Sequence, residues 1–409
     1  MPARWRPPKE LSAVYLPALA LVLLAAMVVA AAEGSFRASL FGLRLWLEAV
    51  LPALMPFFAL SEILAAYGVI HFLAVLLEPL MRPLFNIPGA GGFALAMGLV
   101  SGYPLGAVIT ARLCRDRLLN PVEGERLVSL ANTADPLFMA GVVAAGFFRL
   151  PELGATLSVA HYLAVFLVGL MMARHDRQAP MTPPVGGASG SVWARAVTAM
   201  ARARREDGRP FGAVVGAAIQ HAMSSMLLIG GTIILFSVLL EVLQLVGVAP
   251  VAARAAGWLF RQLGLSPDLG PPLVRGLWEI TNGTQASSSA QASLVHRAAM
   301  ASFIIGWSGL SVHAQVAAVV QGTGMRLGPY VRARLWHGLL AALVTVVLLQ
   351  LGLGPTLASL AWVSPPQAPW GAVVVWHARW ALGVSLALGL AAACAGLATA
   401  LRPRGGRWR

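Results

Sequence analysis

Several stretches of this chain run without a charged side chain for longer than a soluble helix or strand normally does. Among them are Val14 to Ala32 (19 residues), Leu153 to Ala173 (21), Phe211 to Leu240 (30) and Trp380 to Leu401 (22). A helix needs about 20 apolar residues to cross a hydrocarbon core, so each run is long enough. The chain as a whole agrees: 58% of it is hydrophobic and 11% charged, where ordinary globular chains are about a quarter charged. The fold class read from this is an all-α polytopic membrane protein.

The formal net charge of +14 raises a nucleic-acid reading, but the basic residues fall mainly in short segments flanking the apolar runs. That is the pattern of cytoplasmic loops, and it argues against a nucleic-acid partner. Cys114 and Cys394 lie far apart, without metal-ligand or disulfide spacing. The first run follows Arg4, Arg6 and Lys9 and exceeds the apolar core of a cleaved signal, so it is read as a retained anchor.

Topology follows from keeping Lys and Arg on one side. Crossing helices are expected over about 12–32, 41–67, 125–147, 154–173, 212–246, 297–321, 330–353 and 380–401, about eight in all. The segment from His71 to Leu84, interrupted by Pro79 and Pro83, is read as interfacial. The Gly-rich piece 89–114 decides the rest. If it crossed, the seven arginines of the 174–210 linker would lie outside; if it dips in and returns, they stay inside. It is therefore read as a re-entrant hairpin, with a second at 268–291. Both termini are then cytoplasmic.

The units expected are an anchor (1–39), a first repeat (40–173), a basic cytoplasmic linker (174–210), a second repeat (211–353) and a C-terminal helix with a basic tail (354–409). "LVSGYP" at Leu99 aligns with "LVRGLW" at Leu273, and "VSLANTADPLF" at Val128 with "ASFIIGWSGLS" at Ala301. Opposite orientations from the charge count make these inverted-topology repeats, an arrangement that places a transporter's substrate site at mid-membrane between discontinuous helices. Irregular polar backbone survives at that depth only when buried in protein or lining a wet cavity. The four interruptions "SGYPLGA", "NTADP", "WEITNGTQASSSAQ" and "WSGLSVHAQ" are expected to converge on one site.

Asp135 and Glu279 lead the candidates, since carboxylates within membrane segments are costly and face a cavity or a partner. A structural ion pair is the plainer alternative. Asn132, Thr133, Thr281, Asn282 and Gln285 could read a small polar ligand, or simply cap turns. Ser101 and Tyr103 sit at the first hairpin tip, where Tyr103 could stack on a ring or shape the turn before Pro104. Ser308, Ser311, His313 and Gln315 flank the last break, with His313 equally readable as a hydrogen-bonded structural group. Nothing resembling a nucleophile–base pair or a phosphate loop stands out, so no enzyme activity and no cofactor are expected. Coupling to H+ or Na+ is left open.

The motifs "SGYPLGAVITARL", "EGERLVSLANTADPLFMAG", "LWEITNG" and "SFIIGWSGLSVHAQV" resemble the sporulation integral membrane protein YlbJ family over about residues 40 to 350. That family carries the nucleoside-recognition, or Gate, domain and is distantly similar to concentrative nucleoside transporters. The resemblance implies two re-entrant hairpins and two unwound helices, a place in the mother-cell membrane around the forespore, and movement of dipicolinate toward the spore. For such a dianion, Arg275 is the nearest counter-charge, gripping carboxylate through paired bonds; headgroup snorkelling is its alternative. Asp135 departs from the small residue expected in the family's "NT-x-x-P" break. Other readings are a carrier of a nucleoside-like solute and a non-transporting scaffold for spore-envelope (cortex) assembly. The expected partners are a small-molecule solute and the lipid bilayer, with a homo-oligomer left open.

Overall fold

The computed structural model describes residues 9–353 except 137 and 185–190. Every regular element among the described residues is helical. The helix expected over 380–401 and the basic tail lie outside them.

The chain opens with α1 (Lys9–Ala30) and turns by 97° at Ala31 into α2 (Ala32–Leu45). The sequence reading left residues 33–40 as a connection. They are helical instead, because no proline interrupts them and Glu33 pairs with Arg37 one turn on. A π-helical turn (Trp46–Val50) joins α2 to α3 (Leu51–Ala66). A bend of 84° leads into α4 (Val69–Phe85), which runs unbroken through Pro79 and Pro83. Here the expectation of a broken segment is corrected: a Glu78–Arg82 pair at 2.8 Å braces the turn between the two prolines.

Next come α5 (Gly91–Ser101) and α6 (Leu105–Arg115), then α7 (Pro121–Ala131) and a π-helical segment (Phe138–Phe148), then α8 (Leu153–Met172). After the linker helix α9 (Val192–Asp207), the second half begins with α10 (Phe211–Leu245) and α11 (Val248–Gln262). It continues through α12 (Gly270–Trp278), α13 (Ile280–Ser289), α14 (Leu294–Trp307), α15 (Gly309–Val319) and α16 (Leu327–Gln350). The two halves therefore run in the same order: long helix, amphipathic helix, two short helices, an interrupted helix and a long helix.

Among the described residues four helices are long and apolar enough to cross a membrane, α14 and α15 counting together, and up to six if each bent pair is one span. The expected crossing over 125–147 is not among them. It splits at residues 132–135 into two pieces, each too short alone.

Glycine shapes both pairs of short helices. Gly98 and Gly106 are eight positions apart, which is about 12 Å along a straight helix. Yet a Cβ built on Gly98 lies 3.3 Å from the Gly106 Cα, so α5 and α6 fold back on one another. Gly276 and Gly283 do the same for α12 and α13, where a Cβ on Gly283 would overlap Gly276. Ala131 of α7 sits against both glycines of the first pair, and Ile304 of α14 against both of the second. The offset between Ala131 and Ile304 is the one found in the aligned sequence motifs.

One end of the bundle carries a dense ionic layer. Glu123 and Asn120 form a capping box at the start of α7, and Glu123 also takes Arg82 at 2.9 Å and the Thr182 N–H at 3.0 Å. Glu125 accepts two bonds from the Arg326 guanidinium (2.8 and 2.9 Å) and one from its backbone N–H, and lies 2.6 Å from His175. Buried Arg126 donates to the carbonyls of Asn86, His175 and Asp176. The linker is thereby anchored rather than loose. Its helix α9 packs on α4 through Ala196 and an edge-on contact of Trp193 with Phe72. Just past α9, Arg209 bonds Asp207 at 2.6 Å and holds that carboxyl below its usual range.

Gly106→Ala would drive a methyl group into the Ala131 carbonyl, whereas Gly216 has open space around its Cα. Overpacking of this kind costs about 1–3 kcal/mol, and an unhindered helical Gly→Ala gains about 0.5–1 kcal/mol. Thermal unfolding of purified protein in detergent should show a lower midpoint for Gly106→Ala and an equal or higher one for Gly216→Ala.

Candidate functional site

The chain breaks its helices at four places, and each break is dictated locally. The first hairpin turns at Gly102, whose φ of +74° a side chain rarely adopts. Its missing Cβ is also where the Asp135 carboxylate sits. The first interrupted helix ends at Asn132, in extended conformation, and restarts when Asp135 Oδ1 accepts from the Phe138 N–H at 2.9 Å. The second hairpin turns at Glu279, also extended, whose Oε2 accepts from the Asn282 N–H at 2.8 Å and caps α13. The second interrupted helix breaks at Ser308 and Gly309, at φ +72° and +76°. A Cβ on Gly309 would press on the Trp278 carbonyl and Glu279 backbone at 3.0 Å. In each half, then, a hairpin tip touches the break of its own interrupted helix; a carboxylate caps the helix after that break in the first half and the second arm of the hairpin in the second.

Residues of three breaks, with α15 just past the fourth, share one cavity of about 310 Å³. Tyr103 enters it from the first hairpin and Asp135 from the first break. Glu279 and Thr281 enter from the second hairpin, and Ser311 and Gln315 from α15. Leu45, Val50, Ile229 and Ile233, from α2, the π turn and α10, close it with an apolar wall. Among these lining residues the only ionisable acids are Asp135 and Glu279, and none is Lys, Arg or His. Ser311 and Gln315, one helical turn apart, are buried at 3% and 4% exposure, and their side chains make no hydrogen bond among the described residues.

The remaining sequence candidates divide into two groups. Arg275, Asn282 and Gln285 line a second cavity of about 420 Å³ instead. α13 separates the two, presenting Thr281 to one and Asn282 and Gln285 to the other. Ser101, Asn132, Thr133, Ser308 and His313 line neither; all five are buried behind the breaks. Asn132 donates to the Tyr330 hydroxyl at 2.8 Å, and the Thr133 hydroxyl lies 2.5 Å from Nε2 of His161. The Ser308 hydroxyl bonds its neighbour's carbonyl, Trp307 O. His313 donates from Nδ1 to Gly309 O at 2.7 Å, with its ring between Trp307 and Tyr330, which is the hydrogen-bonded structural role. Among the described residues no three His, Cys, Asp or Glu side chains gather as metal ligands.

Sequence reasoning overlooked the groups that hold the breaks from behind. Arg334 of α16 has no exposed surface, and it donates to the carbonyls of Ser129 and Asn132 at 2.8 Å each. These carbonyls are orphaned because α7 stops there, and a cation at a helix C-terminus also meets the favourable end of its dipole. Arg334 further reaches the Tyr103 hydroxyl at 3.4 Å, and Tyr103 in turn donates to Ile305 O at 2.9 Å. His161 Nε2 accepts from the Ala134 N–H at 3.2 Å, and its ring lies 4.3 Å from that of His337. A cation inside the apolar run of α16 was the available signal for Arg334. Arg332, two positions earlier, disguises it as a boundary charge.

With the geometry in place, similarity to known proteins adds a class. The nucleoside-recognition (Gate) family model matches residues 47–174, which takes in the first hairpin and the first interrupted helix. The molecule is thus a helical membrane protein built around a Gate-type domain. Over 334 residues it is 43% identical to the sporulation integral membrane protein YlbJ of Bacillus subtilis (strain 168), covering 80% of each chain. The chain belongs to the YlbJ family.

Arg334→Met should leave two carbonyls unsatisfied at the end of α7, at a cost on the order of 2–3 kcal/mol. Arg334→Lys, which keeps the charge but not the fork, should recover part of it. Thermal midpoints in detergent order the three proteins wild type, Lys, Met; equal midpoints for wild type and Met would contradict the capping role.

Proposed function

We propose that this protein is a carrier that moves a small polar or anionic solute across its membrane by alternating access. The observation that supports this reading best is one cavity lined by three helix interruptions and by the helix that follows the fourth, with both halves contributing. A scaffold has no need to direct buried, unpartnered Ser311 and Gln315 into a common chamber.

In this reading the halves are inverted repeats, and the paired short helices are re-entrant hairpins that complete an eight-crossing topology with both termini in the cytoplasm. Reciprocal packing supports it. α6 of the first half lies on α15 of the second, and α13 on the first half's π-helical segment; likewise α7 meets α16 and α14 meets α8. Such exchange of partners is what a twofold axis in the membrane plane would produce. The cavity has a polar wall from the breaks and an apolar wall from α2 and α10. Movement of one against the other exposes the solute to each side in turn.

The family's link to spore formation suggests the cargo and the place: dipicolinate, crossing the mother-cell-derived membrane around the forespore. The cavity sets a condition on that cargo. An unneutralised carboxylate 4 Å from an anionic group costs about 4 kcal/mol at an effective dielectric of 20. With Asp135 and Glu279 as the acids of the lining, a dianion travels with cations, and these two side chains are the natural positions for H+ or Na+. A nucleoside-like solute is the second reading. The description of the matching family model favours it, as do the amide and hydroxyl groups of Gln315, Thr281 and Ser311.

Reconstitution into liposomes separates these readings. Saturable uptake of dipicolinate that depends on a Na+ or pH gradient is expected. Asp135→Asn and Glu279→Gln should each abolish it while leaving membrane insertion and thermal midpoint near wild type. Uptake of nucleosides but not dipicolinate would move the assignment to the second reading. Normal sporulation by a variant with all six polar cavity residues replaced by Ala would favour the scaffold.

A further inference from the structure

The central cavity is acidic, yet its proposed cargo is an anion, and this poses the question of where the anionic group is held. The second cavity supplies the missing chemistry. It lies between the second hairpin and the far ends of α10 and α2, lined by Arg37, Glu241, Gln244, Arg275, Asn282 and Gln285. α10 begins at Phe211, directly after the basic linker, and its 35 residues extend about 50 Å before Gln244. The cavity therefore opens on the face opposite the linker, the outer face by the distribution of positive charge.

Its charges are placed to receive an anion. Arg275 is exposed and makes no hydrogen bond or ion pair among the described residues. Arg37 pairs with Glu33, but both side chains are largely exposed, at 76% and 80%. Such pairs are worth about 0–1 kcal/mol, so Arg37 is free to turn toward a ligand. Glu241 is the one carboxylate of the lining, and it rests on the opposite wall against Gly34 of α2. Beside Arg275 the hairpin wall offers the amides of Asn282 and Gln285, which lie on one face of α13. Two guanidinium groups and neutral donors are what a carboxylate needs for paired, charge-assisted bonds.

We propose that this outer cavity is a separate binding site for small carboxylate anions, occupied before the solute reaches the central chamber. Thr281 lines the inner cavity and Asn282 the outer, so the start of α13 is a wall common to both. The recognition of negative charge and the binding of cations are thus divided between two chambers. This inference builds on the carrier reading, but its electrostatic part is testable without transport.

The test uses the full chain in liposomes, with Cys114 and Cys394 replaced by Ala and a single cysteine introduced as Gln285→Cys. Modification rates by a sulfonate-bearing and a trimethylammonium-bearing thiosulfonate, each divided by its rate with free thiol, report the local potential. The anionic reagent should be favoured at least fivefold. Adding Arg37→Gln and Arg275→Gln together should remove that preference, and Glu241→Gln should increase it. Millimolar dipicolinate should slow labelling, and the double arginine variant should abolish the protection. Preference for the cationic reagent, or a ratio unchanged in the double variant, would overturn the site; the latter would mean that Arg275 is already spent on Glu241. Protection by acetate or benzoate but not by dipicolinate would uphold the site and sink the dipicolinate reading instead.

Discussion

Each time a helix stops inside an apolar solvent it leaves backbone N–H and C=O groups that water cannot reach, and the rest of this architecture is organised around satisfying them. Asp135 and Glu279 take amides at the start of the π-helical segment and of α13. Arg334 takes the carbonyls at the end of α7. Tyr103 and Trp307 donate to carbonyls of α14 and α12, and His161 accepts the Ala134 amide. Most of these partners come from another helix. The breaks therefore cannot form until the helices have assembled, and the helices are locked in register once they do.

The same groups give the cavity its character. A carboxylate that caps a helix with one oxygen keeps lone pairs for something else, so Asp135 and Glu279 can cap a helix and face the cavity together. Arg334 is different: it is walled off from the cavity lining and acts through Tyr103 and the α7 carbonyls. Positive charge near the breaks is thus spent on the backbone, and the first cavity is lined by acids and no base, whereas Arg37 and Arg275 line the second.

Several elements were legible in the residues. Uncharged runs marked the long helices, and the Gly-rich piece 89–114 marked the first folded-back pair. The polar motifs around Asp135 and Glu279 marked breaks that do meet in one cavity. Other features were misjudged for physical reasons. Pro79 and Pro83 suggested a broken segment, but a braced helix carries them. Asn132, Thr133, Ser308 and His313 suggested ligand contacts from their polarity, yet they sit behind the breaks and line neither cavity, each with a bond to a neighbouring group. Polarity at a break says that a partner is needed; it does not say whether that partner is solute or protein.

Sequence by itself determined that this chain is helical, membrane-embedded and interrupted at four polar places, because apolar run length, glycine spacing and charge placement are properties of neighbouring residues. Only the tertiary structure decided which side chains face an open space. It sorted the candidates between a cavity lined by Asp135 and Glu279, a second lined by Arg37, Glu241 and Arg275, and the buried supports behind the breaks, and it brought in Arg334, His161 and Gln244. Those assignments depend on which groups from distant segments reach a given orphaned amide or carbonyl first, and that competition is settled by packing in three dimensions.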